Sequence, residues 1–386
     1  MKKYDFIITG GGMAGLSLAY YLAHSSLGSR SILILDQAPK TQNDRTWCFW
    51  ERGKGVFEPI IYRSWDAVSF HGPSYQGDLG LGGYRYKMLR GIDFYEFVGA
   101  ELARFPTIER RQATVNRIKD TPQGGFVIAD DEPYIADFVF DSTHQLTLTD
   151  PANQNLLQHF KGWVIETRNN CFDPDKPEIM DYRVDQQGDC RFVYILPFAP
   201  NRALVEFTLF NETLLTDGEY DAVLHRYIDE HLDTGGFDIV EVETGVIPMS
   251  DVETSERPSE HIVRIGTSGG YTKPSTGYTF QRTQRYLREL VDNLVQTGDP
   301  GRQQSLFSRR FKLYDSIFLN VLARRRYPAD ELFTRIYVRN PERVFTFLDE
   351  DTRLSEEFRL FATMPTRPFL RALVDVLRHK LVNARR

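Results

Sequence analysis

Cysteine is scarce in this chain of 386 residues, which has only Cys48, Cys171 and Cys190. They form no C-x-x-C pair, so the sequence encodes neither a disulfide framework nor a zinc ribbon. The eight histidines show no H-x-x-x-H or comparable ligand spacing. We therefore expect a protein of a reducing cytoplasm that binds no metal.

Long apolar runs are also missing, and none approaches the roughly 18 residues of a membrane span. The first apolar stretch is short and leads directly into a glycine cluster, which is not the pattern of a signal peptide. Repeats and low-complexity segments do not occur either. The length favours two closely joined domains, each with its own core. We expect a protein that is soluble or lies on a surface.

The charge is unevenly distributed along the chain. The net charge is -6 overall, but residues 301–386 carry a net +8 and the remainder a net -14. The basic, aromatic-containing C-terminal part could contact anionic lipid headgroups, and a solvated helical surface is the alternative interpretation. Nucleic acid is not expected as a partner, because the acidic remainder would repel phosphates and no nucleic-acid motif occurs.

A glycine cluster follows the first predicted strand, Tyr4 to Thr9, and precedes an apolar helical stretch. In this G-x-G-x-x-G pattern, Gly10 permits a tight turn, Gly12 lets a pyrophosphate approach the backbone, and Gly15 allows close packing of helix and strand. The N-terminus of the helix, at Met13 and Ala14, would hold phosphates with its free N–H groups. A second strand, residues 31–35, ends in Asp36, at the spacing of a ribose-binding carboxylate. The sequence therefore predicts a dinucleotide cofactor.

The rest of the chain predicts a cofactor domain interrupted by a second unit. A helix is expected over 94–105, a hairpin over 114–118 and 126–129, and a parallel strand over 138–141. Aromatic and β-branched segments at 161–167, 191–196 and 202–210 favour a large antiparallel sheet. We divide the chain into five parts: 1–60, the first part of the cofactor domain; 61–160, mixed; 161–255, an antiparallel-sheet substrate domain; 256–300, the second part of the cofactor domain; and 301–386, helical and basic.

A second glycine loop, residues 265–278, is the most informative segment. A short strand precedes Gly266, and a helix is expected from about Thr279, just after Gly277 and Tyr278. This arrangement would bring backbone N–H groups and a helix dipole to a second part of the same cofactor. Simple NAD enzymes do not need such a loop. A flavin does, because its ring carries negative charge at the pyrimidine edge when it is reduced.

At this point the sequence resembles the lycopene β-cyclase family of bacterial and plant flavoproteins, over essentially the whole chain. The more specific segments are the loop at 273–278 and the run at 344–351. The others are the glycine turn and residues 44–50, 192–197 and 204–208.

The resemblance implies an α/β fold, with a Rossmann-like FAD-binding domain of the flavin hydroxylase type, an antiparallel-sheet substrate domain and a helical C-terminal segment. It also implies FAD, active in its reduced form with NADPH as reductant. The substrate would be lycopene or a related linear carotenoid. The location would be cytoplasmic, at the inner face of the cytoplasmic membrane. Segments 306–314 and 368–374 are the candidates for membrane contact, because they combine apolar anchors with arginine as interfacial helices do.

The resemblance also implies the activity of a lycopene β-cyclase, a non-redox isomerase that closes β rings at the ends of the carotenoid through a tertiary carbocation. Such ring closure needs an acid to protonate a terminal alkene, and Glu206 is the candidate. Strand periodicity places it on one face with Leu204, Thr208 and Phe210, where burial would raise its pKa. It matches the family's acidic motif, although plant members typically have a doubled glutamate where this chain has Glu206 and Phe207. A glutamate on the wet face of the sheet is the alternative.

Arg45 is predicted to neutralise the pyrophosphate or contact the flavin edge, with a surface arginine as the alternative. A reduced, anionic flavin could stabilise the carbocation by several kcal/mol in a site of low dielectric. Aromatic residues could line a tunnel and offer π faces to the cation. The candidates for this lining are Trp47, Phe49, Trp50, Trp65, Tyr84, Tyr86, Phe192 and Tyr194.

Three other functions remain open from the sequence. A flavin monooxygenase of the aromatic hydroxylase type shares the expected fold, but it usually carries a Gly-Asp pair where this chain has Gly266 and Thr267. A prenyl-chain reductase would consume reductant stoichiometrically. A non-catalytic flavin-bearing membrane adaptor could use the basic C-terminal part for docking. The sequence also leaves open whether one or both ends are cyclised, the ring type, the electron donor and the oligomeric state.

Overall fold

The computed structural model describes residues 1–148, 150, 153–301 and 306–383, with side chains at 306–308 and 381–383 left out of the description. Its strands are β1 (Lys2–Thr9), β2 (Ile32–Asp36), β3 (Thr46–Glu51), β4 (Arg63–Trp65), β5 (Ala67–Gly72), β6 (Tyr75–Gly80), β7 (Arg85–Arg90), β8 (Ile108–Gln112), β9 (Val115–Thr121), β10 (Gly124–Ala129), β11 (Glu132–Asp141), β12 (Asn155–Thr167), β13 (Glu178–Asp181), β14 (Cys190–Ala199), β15 (Arg202–Asn211), β16 (Phe237–Ser250) and β17 (Ile262–Arg264).

The α-helices are α1 (Met13–Ala23), α2 (Gly91–Leu102), α3 (Asp217–His231), α4 (Phe280–Thr297), α5 (Leu306–Ala323), α6 (Ala329–Arg339), α7 (Pro341–Leu348), α8 (Leu354–Phe361) and α9 (Thr366–Asn383). Short 3₁₀ helices occupy Glu58–Ile60 and Gly266–Gly269.

The first sheet has the order β8-β2-β1-β11-β10-β9, and β17 also pairs with β11. Strands β8, β2, β1, β11 and β17 run parallel to one another, whereas β10 pairs antiparallel with β11 and forms the predicted antiparallel hairpin with β9. The apolar end of β1, including Ile7 and Ile8, is fully buried, as expected for a parallel strand covered on both faces. Helices α1, α2 and α4 cover one face, with Leu16, Phe94 and Leu287 in a shared core.

The second sheet has the order β16-β12-β15-β14-β13-β5-β6 and is antiparallel except where β5 and β13 run parallel. Side chains of β15 alternate between two cores. Leu204 and Phe210 pack toward the C-terminal helices, whereas Val205 and Phe207 pack toward α3. The sheet is therefore buried on both faces, which gives Glu206 surroundings that differ from the wet face of an ordinary antiparallel sheet.

A small sheet of order β3-β7-β4 connects the two larger units. Phe49 of β3 packs in the core of the first unit, whereas its neighbour Trp50 packs in the core of the second. The indole of Trp50 stacks on Tyr86, with ring centroids 4.2 Å apart, and contacts Phe345 at the same centroid distance. Strand β3 thereby brings residues of the predicted aromatic lining to the boundary between the cofactor sheet and the second sheet.

Candidate active site

The N-terminal glycines have the geometry that a dinucleotide turn requires. Gly10 has φ of +94°, a conformation that favours glycine. A Cβ at Gly15 would overlap the carbonyl oxygen of Gly10, so α1 approaches the turn as closely as only glycine permits. A Cβ at Gly12 would meet nothing within 4 Å. The backbone at Gly12 is therefore open to an approaching group, directly at the N-terminus of α1.

Asp36 lies beside this turn at the end of β2. Its carboxylate accepts hydrogen bonds from the backbone N–H groups of Gly11 and of Ala38, the latter at 2.7 Å. Met13 and Ala14 form the first turn of α1, and the Met13 sulfur lies 3.4 Å from the side-chain amide of Gln284 in α4. These contacts hold the turn, the strand end and α1 together.

The late glycine loop meets the same helix end. Gly266 has φ of +64°, and a Cβ there would lie only 2.8 Å from the Cβ of Ala14. Gly277 has φ of +71° and lies against the side chain of Gln158 in β12. The loop therefore spans from the first turn of α1 to the second sheet. Together with the open backbone at Gly12, this arrangement fits an extended dinucleotide such as FAD.

Arg45 precedes β3 and is exposed, and its guanidinium donates to the carbonyl oxygen of Asp44 at 3.1 Å. It also lies close enough to Glu243 to lower the pKa of that carboxyl. The role of Arg45 toward a cofactor stays a prediction.

Two carboxyl side chains flank a glycine at the centre of the second sheet. Gly162 of β12 pairs with Glu206 of β15 on one side and with Glu243 of β16 on the other. Residues paired directly across strands point to the same face, so both side chains share the face of Gly162. A Cβ at Gly162 would lie 2.9 Å from a methyl carbon of Leu204, 3.1 Å from the Cβ of Glu206 and 3.2 Å from its Cγ. The missing side chain leaves space that Leu204 and Glu206 share.

The environments of the two carboxyls differ. Burial raises the pKa of Glu206 well above its usual range, and the charge of Glu243 raises it further. The hydroxyl of Thr208 donates a hydrogen bond to Glu206 at 3.0 Å, which acts in the opposite direction and lowers the pKa. Burial also raises the pKa of Glu243, but Thr46 opposes it by donating from its backbone N–H at 3.1 Å and its hydroxyl at 2.6 Å. Glu206 is thus the better candidate for a carboxyl that stays protonated near neutral pH.

Aromatic and thiol groups surround this pair. Cys48 of β3 lies near both glutamates, and burial raises the pKa of its thiol. Tyr194 pairs with Glu206 across β14 and β15. Burial raises the pKa of Tyr278 to about 12, and Trp50 and Tyr194 lie beside its hydroxyl. Near neutral pH these neighbours are uncharged, so they present π faces and neutral dipoles to the space beside Glu206.

An apolar cavity of about 420 Å³ opens on the other side of this cluster. Tyr337 lines it and lies next to Tyr194 and Tyr278, so the cavity adjoins the aromatic surroundings of Glu206. At its far side Leu370, which is 55% exposed, marks the mouth. Most of the lining is apolar and comes from the C-terminal helices, among them Leu313, Ile317, Phe318, Phe333, Phe347, Leu360, Phe361, Met364 and Phe369.

A buried ionic cluster fastens the late loop to these helices. Lys273, which is 1% exposed, lies 3.0 Å from Asp315 of α5 and 3.3 Å from Glu350 after α7. Ser275 donates to Asp315 at 2.5 Å, and Arg282 of α4 pairs with Glu350. The charges are matched and largely desolvated, so the cluster fixes the position of the loop relative to the cavity wall.

One group of side chains has donor atoms within 4.8 Å of one another, as a metal site would require: His71, Glu178 and Asp181. Arg183 already occupies Asp181 with a bidentate ion pair, and Tyr227 donates to the same carboxylate at 2.5 Å. These partners compete with a cation. The absence of a bound metal stays a prediction.

A sequence model of the family described as lycopene cyclase protein matches residues 5–374. The chain belongs to the lycopene cyclase family. A lycopene beta-cyclase of Pantoea ananas is 24% identical over 398 residues, covering 97% of this chain and 98% of that protein. The lycopene beta cyclase of Arabidopsis thaliana chloroplasts is 26% identical over 72% of this chain and 58% of that protein.

Solved structures place this lycopene cyclase family member in the expected fold class. A geranylgeranyl bacteriochlorophyll reductase-like protein from Thermoplasma acidophilum matches with a TM-score of 0.67 at 13% identity, covering 97% of this chain and 100% of that one. A flavin-dependent brominase matches with a TM-score of 0.62 at 12% identity, over 97% of this chain and 100% of that one. The predicted fold of FAD-dependent flavoproteins is thereby confirmed.

The structure adds features of this family member that the sequence argument missed. Glu243 was not a candidate, because its importance depends on pairing with Gly162 on a strand that is some 80 residues away in sequence. The cavity was also missed, since five separate helices build it. The structure does bring together Trp50, Tyr86 and Tyr194 of the predicted aromatic lining, whereas Phe49 packs in the core of the first unit. Within the described residues, no helix is both long and apolar enough to cross a membrane.

Proposed function

We propose that this protein cyclises the ψ end groups of lycopene to β rings, giving γ-carotene and then β-carotene. The observation that carries the proposal is Glu206, a carboxyl whose pKa is raised by burial and that lies among aromatic side chains beside an apolar cavity. A hydrocarbon substrate offers no polar group to recognise, so a site for it needs an apolar space and one acid.

The proton of Glu206 starts the reaction. Its O–H bond breaks while a C–H bond forms at the terminal alkene, which leaves a tertiary cation. A neighbouring double bond attacks this cation and closes the ring. One ring C–H bond then breaks, and its proton passes to the Glu206 carboxylate, which restores neutrality and the acid. One proton is added and one is lost, so the product is an isomer of the substrate. The faces of Trp50, Tyr86 and Tyr194 stabilise the cation, and the dry surroundings protect it from water.

The cofactor we propose is FAD. Gly10, Gly12, Gly15 and the first turn of α1 at Met13 and Ala14 would hold its pyrophosphate, and Asp36 its ribose. Arg45, Gly266, Gly277 and Tyr278 would lie toward the flavin. Bound in its reduced form, the flavin would supply negative charge near the developing cation, with NADPH as the source of electrons.

Access to the substrate requires a lipid surface, because a forty-carbon hydrocarbon is insoluble in water. The cavity mouth at Leu370 opens on α9, where Val374 and Leu377 are also exposed at helical spacing. Exposed arginines lie on the same helix, at Arg367, Arg371 and Arg378. We propose that this face contacts the inner surface of the cytoplasmic membrane. The other proposed segment, 306–314, lies partly outside the described side chains.

The test uses FAD-loaded protein and lycopene in anionic liposomes under anaerobic conditions, with and without NADPH or dithionite. The expected products are γ-carotene and β-carotene, formed only with reduced flavin and without net consumption of reductant. Unchanged lycopene, together with an oxygen- or hydride-dependent product from another lipophilic substrate, would place the protein among the redox flavoenzymes. No turnover of any polyene with flavin firmly bound would favour a non-catalytic adaptor.

A further inference from the structure

Glu243 has no assigned role, yet it is the carboxyl that faces the proposed acid. Its strand and that of Glu206 are the two neighbours of β12, and both residues are in register with Gly162. Two strand spacings separate their backbones, about 10 Å, and glutamate side chains can approach each other across that distance where no side chain intervenes. Gly162 is the residue between them, and the Cβ and Cγ of Glu206 lie directly over it.

Hydrogen bonds favour the anion of Glu243 more than they favour the anion of Glu206. One carboxylate oxygen accepts the backbone N–H of Thr46, and the other accepts the Thr46 hydroxyl. A carboxyl whose two oxygens both accept hydrogen bonds from donors is stabilised as the anion. Arg45 adds positive charge on the same side. Within the described part of the chain, the hydrogen-bond partner of the Glu206 carboxyl is the hydroxyl of Thr208, and a hydroxyl can also accept a hydrogen bond from a protonated acid.

We propose that Glu243 is a positioning residue for Glu206: as an anion held by Thr46, it faces Glu206 across Gly162 and keeps the single proton of the pair on Glu206. This inference rests on the proposed function, in which Glu206 is the acid. Like charges at close range cannot both ionise, so an environment that favours the anion at one carboxyl leaves the proton on the other.

The other groups around the pair do not replace this effect. Burial raises the pKa values of Cys48 from β3, Tyr194 from β14 and Tyr278 from the late loop, so all three stay neutral where Glu206 titrates. Glu241, on the same strand as Glu243, and Arg45 act on Glu243 with opposite signs. Among the described groups, Glu243 is the one whose charge raises the pKa of Glu206.

The test compares wild type with Glu243→Gln, which keeps the size of the side chain and an oxygen acceptor for Thr46. Cyclase activity of the FAD-loaded enzyme on lycopene in liposomes is measured against pH. Activity falls as Glu206 loses its proton, and the variant should lose activity at a pH lower by about one unit or more. Glu243→Asp, which keeps the charge, should move the pH at which activity is lost back toward the wild-type value. Glu166→Gln, at an exposed glutamate on β12, is the matched control and should leave that pH unchanged.

A second readout does not depend on turnover. Infrared spectroscopy follows the carbonyl band of a protonated carboxyl as a function of pH. Other carboxyls with raised pKa values, such as Asp349, contribute to both spectra, so the band of Glu206 is the difference between wild type and Glu206→Gln at neutral pH. This component should titrate at lower pH in Glu243→Gln. Identical bands in wild type and Glu206→Gln, or an unchanged titration in Glu243→Gln, would overturn the proposal. If the band shifts as expected but lycopene is not converted, the carboxyl pair stands and the proposed function fails. Flavin absorbance verifies that each variant is folded and loaded.

Discussion

At the scale of single residues, the proposed chemistry depends on keeping one carboxyl neutral at a pH where glutamate is normally ionised. Glu206 meets this condition because burial and a neighbouring acid both disfavour its anion, with one weak opposing hydrogen bond. The same burial removes water that would otherwise quench a carbocation. A single side chain therefore links the local electrostatics to the reaction class.

Replacing this acid should remove most of the activity without unfolding the protein. We expect Glu206→Gln to lower kcat by about 10²-fold or more, since a positioned general acid typically contributes that much. Glu166→Gln should retain wild-type kcat. Both variants should keep bound flavin, measured by its visible absorbance. A near-normal kcat in Glu206→Gln would show that another group is the proton donor.

Asp349 predicts a pH dependence of stability opposite in sign to that of an aspartate in an ordinary ion pair. Burial raises its pKa to about 6, against a hydrogen bond from Tyr84 and nearby arginines, compared with an ordinary value of 3.8. Between these two values the folded state binds more protons than the unfolded state, so stability falls as the pH rises from about 4 to 6. The loss is complete above pH 6.

Asp349→Asn should therefore be more stable than wild type at pH 7.5, by about 1–3 kcal/mol, and the difference should shrink toward pH 4. Thermal unfolding followed by circular dichroism at several pH values measures this difference. A variant that is less stable than wild type at pH 7.5, or a difference independent of pH, would show that Asp349 is stabilising as an anion.

Sequence patterns identify some of these functional residues and not others. The alternation along residues 202–210 places Glu206 on one face, and the glycine spacing identifies Gly10, Gly12 and Gly15. Neither pattern contains the pairing that brings Glu243 to Glu206, because strand register between distant segments is decided by tertiary packing. The sequence identifies a functional residue where its role follows from the local pattern. It does not identify one whose role depends on a partner on another strand.

At the scale of elements, the late glycine loop connects the two halves of the site. Its first residues pack on α1, and its last residues reach the second sheet and the cavity wall. Lys273 fastens it through Asp315 and Glu350, and its ammonium also lies 5.6 Å from the ring centre of Phe311. The loop is thereby positioned by the C-terminal helices.

Lys273→Met should uncouple the loop from these helices. Removing one partner of a buried ion network leaves uncompensated charge, which typically costs about 3–5 kcal/mol. We expect a lower midpoint of denaturation and faster loss of flavin on dilution, measured by flavin fluorescence. Lys54→Met, at an exposed site, is the matched control. Unchanged stability and flavin retention in Lys273→Met would contradict the role given to the cluster.

The predicted elements are confirmed where their hydrogen bonds join residues that are close in sequence. The hairpin of β9 and β10 and the helices α2 and α4 are examples. Helix α3 was missed although Thr216 and Glu219 form a capping box that marks its start, with Glu219 accepting the Thr216 backbone N–H at 2.7 Å. The parallel pairing of β5 with β13 joins segments about 110 residues apart, and no local pattern encodes it.

At the scale of the whole molecule, the basic C-terminal helices carry a group of exposed apolar side chains. Leu354 and Phe358 of α8 and Leu370, Val374 and Leu377 of α9 are exposed. The apolar cavity opens beside Leu370. A hydrocarbon leaving a bilayer at this face would enter the cavity without crossing water.

Leu370→Ser with Val374→Ser should weaken binding to anionic liposomes by about tenfold or more, because apolar area is lost at the surface. Sedimentation with vesicles measures the binding. Leu214→Ser is the matched control, since Leu214 is 54% exposed and lies on the loop before α3. Equal binding by both variants would place the membrane contact elsewhere.

The most direct test of the central claim is to run the reaction with lycopene in heavy water, using protein with reduced FAD, and to determine the mass of the product. Acid-initiated, non-redox closure predicts one deuterium for each ring formed, with the product otherwise isomeric with lycopene. The label should be lost together with activity in Glu206→Gln. Rings without deuterium, or a product whose hydrogen count differs from that of lycopene, would contradict protonation by Glu206 as the first step.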